Sequence, residues 1–164
     1  MVEVEVMVSD ITALNVDAIV NSANTGFLTG GGVDGEIRRK AGPELLVECK
    51  RIRKDYPHGI PVAKPILTAG YKLLAKFIIH VVGPDNQSEE LLRETYNNCF
   101  KMAEENNLAT IAVPSISTGV FGFPKPLAAR IVKDVVKKFP FNNVKKVILC
   151  FLDEKDAYIY SDFS

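Results

Sequence analysis

The stretch Asp17-Ala18-Ile19-Val20-Asn21-Ser22-Ala23-Asn24-Thr25-Gly26-Phe27-Leu28-Thr29-Gly30-Gly31-Gly32-Val33-Asp34-Gly35 changes character twice along its length. Asp17 to Asn21 predicts a strand, and its short continuous apolar run is that of a strand buried on both faces. Asn24-Thr25-Gly26 is a turn signal. After the triple glycine a helix is predicted over Val33 to Ala41, closed by Gly42. A strand that feeds a helix through a glycine-rich loop implies a sheet with helices laid against it.

The flanking sequence repeats that alternation. Val2 to Val8 alternates Val with Glu or Met, the period of a half-buried strand, and Ser9-Asp10 offers a cap to a short turn over Ile11 to Leu14. Beyond Gly42 a second helix opens at Pro43 and carries Leu45, Leu46, Cys49 and Ile52 on one face. Strands are predicted at Pro65 to Ala69 and Lys76 to Val82, then a helix from Ser88 to about Asn106 with Leu91, Leu92, Thr95, Tyr96, Cys99, Phe100 and Ala103 at helical spacing. Ala109 to Val113 is a further buried strand, followed by a loop over Pro114 to Pro124. A helix over Lys125 to Phe139 and a strand over Val144 to Leu152 close the pattern. The expected fold is α/β, a three-layer α/β/α sandwich with a mixed central sheet.

Composition narrows the function classes. The 164 residues carry 20 basic and 20 acidic side chains, a net charge of zero, which argues against duplex nucleic-acid binding by a basic surface. A local anion site made of backbone N–H groups needs no net charge and stays open. The cysteines, Cys49, Cys99 and Cys150, are odd in number and lack CxxC spacing, and with only His58 and His80 beside them no metal site is expected. Unpaired cysteines, no apolar run long enough to span a bilayer and no leader-like start predict a cytoplasmic protein.

Two loops have the character of a ligand site. In an open α/β sheet ligands bind beyond the carboxyl ends of the strands, where loops enter helices. Asn21 to Gly35 is one such loop and Pro114-Ser115-Ile116-Ser117-Thr118-Gly119-Val120-Phe121-Gly122-Phe123-Pro124 is the other. Glycines let the backbone approach a ligand, and each helix start presents free N–H groups. Facing one another, they would hold a diphosphate. Gly30, Gly32 and Gly35 match G-x-G-x-x-G in form, but they do not directly follow a strand, and the region some twenty residues on reads as helix, so a dinucleotide fold is disfavoured. No Gly-Lys-Ser/Thr follows either loop, which excludes a P-loop.

These pieces together resemble the macro domain family, the ADP-ribose-binding α/β/α module, and within it the MacroD-like branch that hydrolyses ADP-ribose esters. The residues that carry the resemblance are Asp10-Ile11-Thr12, Asp17 to Asn24, Gly30 to Gly35, Ala41-Gly42, Thr68-Ala69-Gly70-Tyr71, Ile79-His80-Val81-Val82-Gly83-Pro84 and Ile116 to Pro124. They keep the family's order over nearly the whole chain, so residues 1–164 are expected to form a single macro domain. The resemblance implies that Asp10 accepts a hydrogen bond from the adenine amino group and that Ile11 offers its N–H. It gives the diphosphate to Gly31, Gly32 and Val33 with Ser117, Thr118, Gly119, Val120 and Phe121, through backbone and hydroxyl donors, and packs Phe121 over the distal ribose. Asn21 and Ala23 join the ligand-binding set. Asn24 and Asp34 become the catalytic pair, Asn24 orienting the distal ribose and Asp34 polarising or positioning the attacking water, with the substrate diphosphate as the alternative base.

Each role has a plainer counterpart. Asp10 suits a helix cap, Asn21 and Asn24 suit turns, and Asp34 suits the positive end of a helix. His80, inside an apolar strand, reads as a satisfied core histidine, and the cysteines read as packing. Either Phe151 or Leu152 flanks the adenine. Lys50-Arg51-Ile52-Arg53-Lys54 is a solvated helix face, with attraction for acidic substrate proteins as its alternative. The chain also departs from the family: Arg38 stands where many relatives have histidine, Thr29 replaces a fourth glycine, and Phe121 replaces tyrosine. The expected function is hydrolysis of O-acetyl-ADP-ribose and of mono-ADP-ribose on Asp or Glu of proteins, without cofactor, metal or membrane. The rival readings are a non-catalytic ADP-ribose reader and an ADP-ribose-1″-phosphate phosphatase.

Overall fold

The computed structural model describes residues 1–163. The strands are β1 (Glu3–Val8), β2 (Ala18–Ala23), β3 (Ile66–Ala69), β4 (Phe77–Val82), β5 (Thr110–Val113) and β6 (Lys146–Phe151). The helices are α1 (Gly32–Ala41), α2 (Pro43–Arg53), α3 (Glu89–Glu105), α4 (Lys125–Lys138) and α5 (Glu154–Tyr158), with a 3₁₀ turn at Ile11–Ala13. The expected elements are all present, with ends shifted by a residue or two. The additional one is α5, five residues capped by Asp153, whose side chain accepts from Asp156 N. Five residues carry too little periodicity to show in a sequence.

The sheet runs β1-β6-β5-β2-β4-β3, and only β3, which pairs antiparallel with β4, breaks the parallel set. It is mixed, as expected. Helices cover both faces. On one, Leu92, Tyr96, Cys99 and Phe100 of α3 and Ile131, Val132, Val135 and Val136 of α4 pack on Val20, Val81, Ile111 and Val147. On the other, Ile37 of α1 and Leu45 and Cys49 of α2 pack on Ile19, Ala23, Ile78 and Val82. Leu46 was expected inward on α2 but is 37% exposed, because Leu45 and Cys49, with Ile52 partly buried beside them, form the face that packs on this core.

Four neighbouring parallel strands, β1, β6, β5 and β2, end on the same edge of the sheet. At about 4.8 Å per strand that edge is a track roughly 14 Å long. The β2–β5 ladder stops at Ile19↔Ala112, well before β2 ends at Ala23, so the two strands part and leave a crevice between the loops that follow them. No helix among the described residues is long and apolar enough to cross a membrane.

Candidate functional site

At the β1/β6 end of the track lies a cleft of about 360 Å³ lined by Ser9, Asp10, Ile11, Gly32, Val33, Glu36, Pro114, Cys150, Phe151 and Leu152. Asp10 caps the 3₁₀ turn: its Oδ1 accepts from Thr12 N at 2.9 Å and from Thr12 Oγ1 at 2.6 Å. The Thr12 hydroxyl, with help from its N–H, holds the Asp10 carboxyl below its ordinary pKa although partial burial works the other way. Cap and ligand contact are therefore compatible, since Oδ1 serves the turn while no hydrogen bond among the described residues uses Oδ2. Phe151 and Leu152 both reach this cleft. Phe151 is buried with its ring 4.6 Å from that of Tyr160, whereas Leu152 is 75% exposed at the rim.

The glycine loop forms the next part of the wall. Gly31 and Gly32 face open space where a Cβ would be, and Gly32 has φ +56, a conformation that glycine adopts at no steric cost. Gly32, Val33 and Asp34 begin α1, so their N–H groups lack helical acceptors and point along the positive end of the helix dipole. Gly30 is held tight for another reason. A Cβ there would stand 2.4 Å from Asp34 Oδ2 and 3.0 Å from Asn24 Nδ2, so both side chains flank the same point. Asn24 is itself fastened, donating to Thr29 O at 2.7 Å and accepting from Phe27 N at 3.1 Å.

Asp34 is only 4% exposed, and its two carboxylate oxygens are fixed from inside. Oδ1 accepts from Asn21 Nδ2 at 2.7 Å, and Oδ2 accepts from Arg38 Nε at 3.0 Å, one helical turn along α1. The Asn21 amide also meets His80 Nδ1 at 3.0 Å, and His80 Nε2 meets Thr68 Oγ1 at 2.9 Å. Donor bookkeeping sets the tautomer. Because Asp34 only accepts, the Asn21 amide nitrogen must face it, so His80 Nδ1 accepts and Nε2–H donates to Thr68, which passes its own proton to Ala69 O at 3.1 Å. Burial, with the Arg38 charge adding to it, drives the His80 pKa down to about 3, so the ring is neutral. The Arg38 guanidinium lies 5.6 Å over the Phe27 ring.

Asn21, expected in the ligand-binding set, is 0% exposed; its amide nitrogen serves Asp34 and His80, while its amide oxygen has no partner among the described residues. Ala23, also expected in that set, is buried in the core at the end of β2. His80 is the satisfied core histidine that was expected, yet it is wired to the acid. The signal for Arg38 was in the sequence, as an Asp-to-Arg spacing of four on a helix. The signal for His80 was not, because it depends on the pairing Asn21↔His80 between β2 and β4.

The second loop is built differently. Tyr96 of α3 anchors its start, with its hydroxyl accepting from Ile116 N at 2.9 Å. Ile116 is 0% exposed and Phe123 1%, and Phe123 N donates to Ser117 O at 2.9 Å, so the segment between them stands out as a closed projection. Ser117 has φ +67, and its side chain is turned in toward Gly83, where a Cβ would lie 2.3 Å from Ser117 Oγ. Thr118 Oγ1 donates to Ser115 Oγ at 2.8 Å. Of the two hydroxyls expected as donors, that of Ser117 is thus turned inward and that of Thr118 is engaged with Ser115. The N–H groups of Ser117, Thr118, Gly119, Val120 and Phe121 remain, and none of them donates to any acceptor among the described residues. Val120 is 103% exposed, Phe121 is half-buried, and α4 starts just beyond.

The charged residues that line the cleft are Asp10 and Glu36, and no cation lines it, so the donors beside it are backbone N–H groups such as those of Gly32 and Val33 at the start of α1. Among the described residues no three His, Cys, Asp or Glu side chains come together as metal ligands. The three cysteines are free and buried, and His58 is exposed.

The model of the Macro domain family matches residues 20–132. The O-acetyl-ADP-ribose deacetylase of Enterobacter sp. (strain 638) is 42% identical over 165 residues, covering 96% of this chain and 91% of that protein. The ADP-ribose glycohydrolase MACROD2 of Xenopus laevis is 44% identical over 161 residues, covering 92% of this chain and 37% of that longer protein. Among solved structures, the Oceanobacillus iheyensis macrodomain with ADP superposes with a TM-score of 0.92 at 40% identity, covering 97% of this chain and 88% of that one.

Proposed function

This chain belongs to the macro domain family, and from that premise we propose that it is an ADP-ribose-binding hydrolase acting on esters of the distal ribose. Its substrates are O-acetyl-ADP-ribose and mono-ADP-ribose carried on Asp or Glu of proteins. The adenine enters the 360 Å³ cleft beside Asp10, Ile11 and Phe151. The diphosphate lies in the crevice, between the first turn of α1 and the free N–H groups of Ser117 to Phe121. The α1 helix end contributes about 0.3–1 kcal/mol toward holding it. The distal ribose then falls against Asn24, Gly30 and Phe121, with Asp34 behind Gly30.

One water is consumed in the reaction. It attacks at the ester, the bond to the ribose oxygen breaks, and ADP-ribose and a carboxylic acid leave. Asn24, fixed to Thr29 and Phe27, orients the ribose. Asp34, fixed by Asn21 and Arg38, orders the water beside it. The single observation that carries the reading is this clamped carboxylate, set next to Asn24 across a glycine that leaves room for nothing larger. Residues 1–164 act as one macro domain, and the three free cysteines suit a reducing cytoplasm.

The test is release of ADP-ribose from a glutamate-modified protein and of acetate from O-acetyl-ADP-ribose, comparing wild type with Asp34→Asn. Loss of positioning and proton handling at this point lowers turnover by about 100-fold or more, with ADP-ribose affinity retained. Tight ADP-ribose binding by the wild type without release from either ester would make the domain a reader.

A further inference from the structure

Beyond the ribose end of the site, α2 and the glycine loop border an open surface hollow of about 510 Å³ lined by Leu28, Lys50, Arg53, Lys54 and Pro57. Three of its five residues are cationic and none is acidic. Lys50 and Lys54 are one helical turn apart, exposed, and form no ion pair among the described residues. Arg51 next to them is paired with Glu48 at 3.6 Å, and Asp55 is exposed but outside the hollow. Arg53 joins this surface to the site: its Nε donates to Gly26 O at 3.2 Å and its other arm donates to Tyr56 O, so the hollow is fastened to the loop that carries Asn24. The 56–60 segment is fastened there too, with Ile60 N donating to Thr25 O at 2.9 Å.

Resting on the function proposed above, we infer that this hollow docks an acidic polypeptide segment around the modified Asp or Glu of a protein substrate. A protein linked through the distal ribose leaves the site at the Asn24 loop, and the hollow begins on the other side of that loop. Ester-linked ADP-ribose sits on a carboxylate side chain, and neighbouring carboxylates on the same segment meet Lys50 and Lys54. Leu28 and Pro57 supply apolar surface for the methylenes of Glu. The small ester O-acetyl-ADP-ribose has nothing that reaches this far, so the surface selects protein-linked substrate and leaves the small ester unaffected.

The experiment compares wild type with the charge reversal Lys50→Glu/Lys54→Glu and with Arg130→Glu/Lys137→Glu on α4, which covers the opposite face of the sheet. Three probes are used: O-acetyl-ADP-ribose, a Glu-rich peptide mono-ADP-ribosylated on one glutamate, and an uncharged peptide bearing the same group. The first variant is expected to raise KM for the acidic peptide at least tenfold, and to leave the other two substrates and kcat within twofold. The α4 variant leaves all three within twofold. Calorimetry of the acidic ADP-ribosylated peptide against free ADP-ribose reads the same preference without turnover, so failure of the hydrolase reading and failure of this one are separate results. Unchanged KM and affinity for the acidic peptide, an equal loss for the uncharged peptide, or a single-stranded oligonucleotide that competes more strongly than the acidic peptide would each overturn the inference.

Discussion

The two loops that frame the crevice present the same thing, backbone N–H groups without acceptors, at the start of a helix in one and within the loop in the other, but they are held in place by opposite means. The Asn24–Gly35 loop rests on buried polar chemistry: Thr68, His80, Asn21, Asp34 and Arg38 form one chain of hydrogen bonds. The Ser117–Phe121 loop rests on hydrophobic pins at its ends, Ile116 and Phe123, one tyrosine hydroxyl, and a left-handed residue at Ser117. A carboxylate that has to sit at a fixed angle to a scissile bond needs directional support, which hydrogen bonds give and packing does not. A cradle for a diphosphate needs only a fixed backbone shape. On the proposed function, the first loop is built for chemistry and the second for recognition.

The contrast is broken most severely at Asp34. Asp34→Ala leaves the guanidinium of Arg38, whose side chain is 12% exposed, without its partner, and the expected loss is about 3–5 kcal/mol in urea unfolding. Asp34→Asn/Arg38→Met removes both charges and is expected to recover most of that stability without recovering turnover. Stability that stays low in the double variant would show that the ion pair is not the reason.

Two glycine substitutions sharpen the division of labour. Gly30→Ala drives a methyl to within 2.4 Å of Asp34 Oδ2, and Gly83→Ala drives one to within 2.3 Å of Ser117 Oγ and 2.4 Å of Ile116 Cγ2. Both overpack by about 1–3 kcal/mol. The expected outcomes differ: Gly30→Ala lowers kcat at least tenfold with a small change in ADP-ribose affinity, whereas Gly83→Ala weakens ADP-ribose binding several-fold. Steady-state kinetics and calorimetry on the same pair of variants decide the matter, and identical profiles would erase the distinction.

At neutral pH the smallest effect belongs to His80, and it grows only as pH falls. His80 falls from an unfolded value near 6.5 to about 3 in the folded protein, chiefly through burial and then through the Arg38 charge. A depressed folded pKa contributes stability above pH 6.5 and loses it as pH falls toward 3. Over that window the slope from this one group approaches about 1.4 kcal/mol per pH unit. In His80→Gln the acid-side slope of unfolding free energy becomes shallower by up to that amount, while the slope above pH 7 stays as it was. An unchanged acid limb would mean that His80 is not the group being charged.

Much of the fold was legible because each element carries its own period. Ser88, which accepts from Leu91 N at 3.2 Å, ends the ambiguity at the start of α3, and Gly42, with φ +93, separates α1 from α2. The site was half legible. Asp34 and Asn24 stood out through the glycines beside them. Asn21 did not separate itself from a ligand contact, because an asparagine at a strand end looks the same whether it faces a ligand or a buried acid. The hydroxyls of Ser117 and Thr118 looked like donors to a ligand, since side-chain direction in an irregular loop follows from its φ angles and neighbours.

By itself the sequence determined the alternation of strands and helices, the two glycine-bearing loops at strand ends, and the acid at the first turn of α1. These are local matters of periodicity, capping and backbone freedom. Only the tertiary structure decided what stands behind that acid. Asn21, His80 and Thr68 lie on three different strands, and they meet because β2 pairs with β4 in the register Asn21↔His80 while β3 folds back antiparallel beside them. A slip of β2 by one residue would turn Asn21 to the opposite face of the sheet from His80 and leave Asp34 held by Arg38 alone.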